Sequence, residues 1–214
     1  MLEQKIIDAY NTIQDDAYIT YNNSDDVSFD GSQIQQEFFE AWNYISEYYN
    51  AKKPKILKFL EVGAWKGLWG IAFTEFCKIN KIKGEYVTIT MMSHDPNNRP
   101  LWDTIKYINQ QPQQNATLID MNTFDEDALS EVTKNNTNYN IVFIDAGHKY
   151  EEAKNDISKF SSLATDLLLF HDIRPKKATE HCGVYQAICD AGINLTKEIS
   201  TTDLQMGIGI KYII

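Results

Sequence analysis

From Lys55 onward the chain repeats one unit five times. A short apolar run rich in β-branched and aromatic residues meets a polar break and then a helix-like stretch. The runs are KILKFLEVGA, EYVTITMM, ATLIDM, YNIVFIDA and DLLLFHDI. The stretches between and after them are GLWGIAFTEFCKIN, PLWDTIKYINQ, EDALSEVTKN, YEEAKNDISKFSSLA and GVYQAICDAG. Apolar runs of this kind, alternating with helices, call for a mostly parallel sheet covered on both faces. Two last segments, LTKEIST and MGIGIKYII, finish the chain as an antiparallel pair. The expected class is therefore α/β: a doubly wound, mostly parallel sheet with an antiparallel C-terminal strand.

Two helices precede this unit. Leu2, Ile6, Ala9, Tyr10 and Ile13 recur at helical spacing, so residues 1–20 read as one amphipathic helix. Ser32 caps a second helix, with Gln35 at the capping-box position, running through QIQQEFFEAWNYISEYYN. Pro54 closes that region. The expected organisation is a helical cap over residues 1–50 and a doubly wound domain over 51–214. The aromatics of FFEAWNYISEYY read as core or as a homodimer surface, with core the preferred reading.

Composition excludes several classes. The chain has 214 residues, enough for one domain with a sizeable core. Its net charge is −10, and its dense basic spots, KKPK and RPKK, are short. A duplex-binding surface needs clustered Lys and Arg, so no nucleic-acid partner is expected. No apolar stretch reaches the length of a membrane span, and MLEQKIIDAY lacks a signal-peptide core, so the cytoplasm is expected. Cys77, Cys182 and Cys189 form no metal or redox spacing.

Chemistry-bearing residues gather at the strand ends. In FLEVGAWKGLWG the first strand runs through Glu61 into Gly63 and Gly67. Glycines there allow a tight turn and close approach to a ligand. The spacing is neither the dinucleotide G-x-G-x-x-G nor a P-loop. After strand two, MMSHDPNNRP offers Asp95 for ribose hydroxyls, or as a turn former. Strand four ends in Asp145, with His148 three residues on, and strand five ends in His171 and Asp172. In the common strand order these two ends are neighbours of the glycine turn. Ligands bind outside the carboxyl ends of such strands. Asp145, His171 and Asp172 supply donors of the type that Mg²⁺ or Mn²⁺ takes. A hydrogen-bonded polar cluster without metal is the competing reading. His94 and His181 lack such a context.

Together these residues resemble the class I S-adenosylmethionine-dependent methyltransferases, with a Rossmann-like fold. The closer likeness is to the metal-using O-methyltransferase and cephalosporin-hydroxylase-like branch. It covers roughly Ser32 to Ile188. FLEVGAWKGLWG is similar to the family's first motif, SHDPNNR to the segment after strand two, and FIDAGHKYEEAKNDI, FHDI and GVYQAI to its most specific part. The resemblance implies S-adenosylmethionine as cofactor, held by Glu61, Gly63, Ala64, Trp65, Gly67, Ser93, Asp95, Asn122 and Asp145. It implies a divalent metal on Asp145, His171 and Asp172, and His148 as the base that takes the substrate proton. Ser93 stands where the family has an acid, and Met121-Asn122 where it has Gly-Asp or Gly-Ser.

The implied reaction is O-methylation of a small hydroxylated acceptor, a sugar or a catechol-like ring. Two rivals belong to other classes. One is a catalytically degenerate methyltransferase fold that only binds. The other is a nicotinamide-dependent oxidoreductase, which the missing G-x-G-x-x-G disfavours.

Overall fold

The computed structural model describes residues 2–13, 36–92, 99–173, 183–200 and 207–213. Two helices come first, α1 (Leu2–Ile13) and α2 (Gln36–Lys52). Then follow β1 (Ile56–Val62), α3 (Leu68–Asn80), β2 (Lys83–Thr90), α4 (Arg99–Gln110) and β3 (Gln114–Asp120). The second half comprises α5 (Ala128–Asn135), β4 (Tyr139–Ile144), α6 (Tyr150–Phe160) and β5 (Ala164–His171). Helix α7 (Gly183–Asp190), β6 (Lys197–Ile199) and β7 (Ile208–Tyr212) complete the described chain. The expected helix over residues 1–20 is seen as far as Ile13; its remainder, and the Ser32 cap, lie outside the described residues. No helix among the described residues is long and apolar enough to cross a membrane.

The strands form one sheet in the order β3-β2-β1-β4-β5-β7-β6. β1 pairs parallel with both β2 and β4, and β4 parallel with β5. β7 runs antiparallel to β5 and β6. This is the expected mostly parallel, Rossmann-like sheet, closed by antiparallel pairing at one edge. Because β1 lies between β2 and β4, the chain reverses its direction of travel across the sheet there. The crevice outside the carboxyl ends of β1 and β4 is the topological switch point.

Side chains alternate between the sheet faces with period two, and the apolar clusters divide accordingly. Leu57 and Phe59 of β1, Tyr86 of β2, Phe143 of β4 and Leu169 of β5 face α1, α2, α3 and α4. Leu60, Val62, Val87, Val142, Ile144 and Phe170 face α5, α6 and α7. The N-terminal helices share the first cluster: Ile6 and Ala9 of α1 and Phe38, Ala41 and Ile45 of α2 are buried in it.

Trp42 sits at the centre of that cluster. It stacks on Phe59, with ring centroids 6.2 Å apart, and packs against Trp69 at 5.6 Å and Phe76 at 6.2 Å. Phe38, Trp42 and Tyr49 of the aromatic stretch are all buried within the chain, which places them in the core. The Trp42 indole Nε1 has no hydrogen-bond partner among the described residues. Its contribution is thus packing area rather than polarity. Trp42→Ala is expected to cost ~3–5 kcal/mol of unfolding free energy. Trp42→Phe removes the unsatisfied donor and should cost less than about 2 kcal/mol. Urea unfolding of the two variants checks the difference.

Candidate active site

The strand ends are held level by backbone bonds that continue the sheet into the loops. Gly63 N–H donates to Ile89 O at 2.9 Å, Asp145 N–H to Val62 O at 2.8 Å and Met121 N–H to Thr90 O at 3.1 Å. Asp120 adds a side-chain bond, accepting from the Met92 N–H at 2.9 Å. The loops therefore leave the sheet from a common rim.

Glycine is required on this rim for the chain's own sake. Gly63 has φ +94°, and a Cβ there would lie 2.4 Å from the Ala146 Cα. Gly67 has φ +78°, and its Cβ would meet the Thr104 Cγ2 at 2.7 Å. L-residues rarely adopt such φ values. Gly63 thus lets β1 and the β4 loop touch, and Gly67 lets α3 start against α4.

Above the rim lies a cavity of about 410 Å³, within the roughly 300–1,000 Å³ of small-molecule pockets. Gly63, Ala64 and Trp65 line it from the β1 loop, and Thr90 and Met91 from the β2 end. Met121, Asn122, Thr123 and Phe124 line it from the β3 loop. Asp145, Ala146, Gly147 and His148 come from the β4 loop, with Glu152 from α6. Trp65 and Phe124 are exposed, each a large aromatic at the cavity wall. The Lys66 ammonium lies 4.4 Å from the Trp65 ring centroid, a cation–π contact. Asn122 accepts from the Phe124 N–H at 2.9 Å, a local turn that uses its side-chain oxygen.

Of the residues singled out in the sequence, Gly63, Ala64, Trp65, Asn122, Asp145 and His148 line this cavity. Gly67, Glu61, His171 and Asp172 do not. Glu61 shares the β1 face of Leu57 and Phe59 and is buried beneath the rim. The Tyr86 hydroxyl donates to its Oε2. Burial pushes the Glu61 carboxyl up to about 8, against the Tyr86 hydrogen bond, with the Asp145 charge adding to the rise. Ser93, Asp95, His94 and His181 lie outside the described residues. Sequence reasoning missed Thr90, Met91, Thr123, Phe124 and Glu152, which reach the cavity from turns and from the first turn of α6.

Beside the cavity, at the carboxyl ends of β4 and β5, the acids and imidazoles converge; Asp145 and His148 belong to both. The His171 Nδ1 is 3.1 Å from Asp145 Oδ1 and 3.1 Å from Asp172 Oδ1. The His148 Nδ1 pairs closely with Asp172 Oδ2. One ligand atom each from Asp145, His148 and Asp172 lie within 4.8 Å of one another. Asp172 has φ +55°, a left-handed conformation that Asp tolerates better than bulkier residues. Burial alone would lower the His171 pKa. The charge and hydrogen bond of Asp145, then the charges of Asp172 and Glu37, outweigh it and raise the group to about 9. The hydrogen bond to Asp172 raises His148 above the ordinary imidazole value, against a smaller desolvation effect. The His171 imidazolium thus occupies the space between two carboxylates.

A pocket at the switch point is common to many ligand-binding α/β proteins. The sequence decides among them. Residues 60–173 match the family model described as a methyltransferase domain. The chain belongs to this methyltransferase family. No curated protein matches it in sequence. Among solved structures, the methyltransferase resembles the O-methyltransferase NovP (TM-score 0.56, 11% identity, 83% of this chain and 79% of that chain). It also resembles the calicheamicin methyltransferase CalS11 (TM-score 0.57, 10% identity, 96% and 91%). A third likeness is to MycE, a mycinamycin-pathway methyltransferase in complex with Mg, S-adenosylhomocysteine (SAH) and mycinamycin VI (TM-score 0.50, 12% identity, 80% and 48%). At these identities the likeness is one of fold, the class I S-adenosylmethionine-dependent methyltransferase fold.

Proposed function

We propose that the protein is a cytoplasmic S-adenosylmethionine-dependent methyltransferase that methylates a hydroxyl oxygen of a small acceptor, a sugar or a catechol-like ring. The observation that carries this is the cavity at the β1–β4 switch point, lined by Asp145 and His148 of the neighbouring acid–imidazole cluster. The cavity's size and its mixed lining suit S-adenosylmethionine. Its aromatic members Trp65 and Phe124, and its thioethers Met91 and Met121, provide apolar surface. Asn122, Asp145 and Glu152 provide the polar contacts. The cofactor would contact Gly63, Ala64, Trp65, Asn122 and Asp145. Glu61 and Gly67 would act beneath the rim, by shaping the β1 loop.

Bound S-adenosylmethionine supplies a methyl group already activated by its sulfonium charge. The protein's task is then alignment and exclusion of water. His148 takes the acceptor proton in this reading. Its Nδ1 is engaged by Asp172, which fixes the ring and stabilises the imidazolium that forms, so Nε2 is the atom for the substrate proton. Two carboxylates with an imidazole nitrogen make a donor set for a divalent ion of the Mg²⁺ or Mn²⁺ type. Asp145, His171 and Asp172 would hold it, and it would make a nearby hydroxyl more acidic. The Mg in the MycE complex supports this part of the reading. The His171 position favours a second version without metal. Its Nδ1 lies on both carboxylates, so the imidazolium itself supplies the positive charge, and a metal would have to displace that proton.

The test is titration with SAH and, separately, with NAD. The reading requires one-to-one, saturable binding of the first. Binding of NAD alone would put the chain among the oxidoreductases. SAH binding without turnover on any hydroxylated acceptor would leave only a binding protein.

A further inference from the structure

Beyond Glu152, the charged face of α6 takes no part in the chemistry above, yet it is bonded to both loops that carry that chemistry. Glu152, Asn155, Asp156 and Lys159 follow one another at three, four and seven residues, so they share a face of the helix. Asp156 is fully buried. Its Oδ2 accepts from the Gly147 N–H at 3.1 Å, and its Oδ1 accepts from the Asn155 Nδ2 at 3.1 Å. Asn155 Nδ2 donates to Thr123 O at 3.2 Å. Lys159 Nζ donates to Thr123 O at 2.7 Å and to Asp125 O at 3.0 Å. Gly147 lies two residues after Asp145 and one before His148. A Cβ on it would meet the Glu152 Cβ at 2.3 Å, so this loop lies directly on the helix.

We propose that Asp156 is a positioning residue for the methyl-transfer site. It holds the Asp145–His148 loop by the Gly147 amide and, through Asn155, whose Nδ2 bonds both Asp156 Oδ1 and Thr123 O, the Met121–Phe124 loop, so that two walls of the cavity move as one body. This rests on the methyltransferase reading only for what the cavity binds. A buried carboxylate is costly unless its bonds are made, and here they run to the backbone of one loop and, through Asn155, to the backbone of the other.

The experiment uses the full chain with Asp156→Ala and Asp156→Asn. It reads amide hydrogen exchange at Gly147 and Phe124, and titration with SAH. In Asp156→Ala the Gly147 amide is expected to exchange about 100-fold faster, while core amides such as Val142 keep parental protection. Affinity for SAH should fall by about tenfold or more. Asp156→Asn retains an oxygen for the Gly147 N–H, so exchange at Gly147 should stay within about threefold of the parent, while its amide nitrogen meets the Asn155 Nδ2 donor and that contact is lost. Unchanged Gly147 protection in Asp156→Ala overturns the proposal. So does parental affinity in a variant whose Gly147 has become labile, or an equal loss of Gly147 protection in Asp156→Asn. If Asp156→Ala does not fold, Lys159→Met takes its place. It should speed exchange at Phe124 and weaken binding by about threefold or more, and parental behaviour in it overturns the proposal. If the parent binds no SAH, the cofactor reading fails, and exchange at Gly147 alone decides whether Asp156 holds the loop.

Discussion

His148→Gln is expected to lower the turnover number by about 10²–10⁴-fold, the usual worth of a positioned general base. The variant keeps a polar side chain of similar reach but has no proton-accepting nitrogen. Affinity for SAH should be nearly parental, because the backbone of the loop is held by Gly147 on Asp156 rather than by the imidazole. The pH profile separates a base from a structural residue. The hydrogen bond to Asp172 raises the His148 pKa, so the ring keeps its proton to higher pH than a free imidazole. A base works only when deprotonated. The parental rate should therefore rise with pH through an inflection above the ordinary imidazole range and then level off. The inflection should be absent from the Gln variant. The same raised pKa makes the pair with Asp172 stabilising at low pH, a contribution lost as pH rises through the folded-state value. Parental turnover at every pH, measured on a hydroxylated acceptor that the parent methylates, would remove His148 from the mechanism. A fall in SAH affinity that matched the fall in rate would make it a structural residue.

Glu61→Gln should raise stability in alkaline solution. Glu61 is buried, and its carboxyl is pushed from 4.5 to about 8. The native state thus binds this proton more tightly than the unfolded chain does. The resulting stabilisation is complete below about pH 4.5 and is lost as pH rises towards 8. At 1.36 kcal/mol per pH unit, the loss is on the order of 5 kcal/mol. A glutamine cannot ionise, and its side-chain oxygen still accepts from the Tyr86 hydroxyl. Unfolding free energies of parent and variant should agree near pH 4.5 and diverge by roughly 3–5 kcal/mol by pH 8.5, the variant being the more stable. Parallel curves across that range would mean that Glu61 is charged in the folded protein.

The fold was largely legible because its signal is a period. Five apolar runs with helices between them admit few architectures, and each run lies within about two residues of an observed strand. The convergence of Asp145 and Asp172 followed from neighbouring strands ending in acids. Other parts of the site carry no comparable signal. Thr90, Met91 and Phe124 line the cavity because of where their turns point, and their side chains announce no chemistry. Glu61 stands in the motif, but period two along β1 puts it on the face of Phe59, under the sheet rim. The two rim glycines read as ligand clearance, whereas their nearest constraints are Ala146 and Thr104 of the same chain. A Gly63 substitution therefore reports on folding before it reports on a ligand. The role of Asp156 was hidden because a helix written YEEAKNDISKF reads as a solvated charged face until the two loops are seen lying on it.

The central claim is that S-adenosylmethionine occupies the cavity at the switch point. Its most direct test is a titration of the isotope-labelled protein with SAH, followed residue by residue by nuclear magnetic resonance. The account predicts saturable shifts concentrated at Gly63–Trp65, Met121–Phe124 and Asp145–His148, with the amides of β7 and α2 unmoved. Saturable shifts centred elsewhere, or none at concentrations far above those at which methyltransferases are saturated, would contradict it.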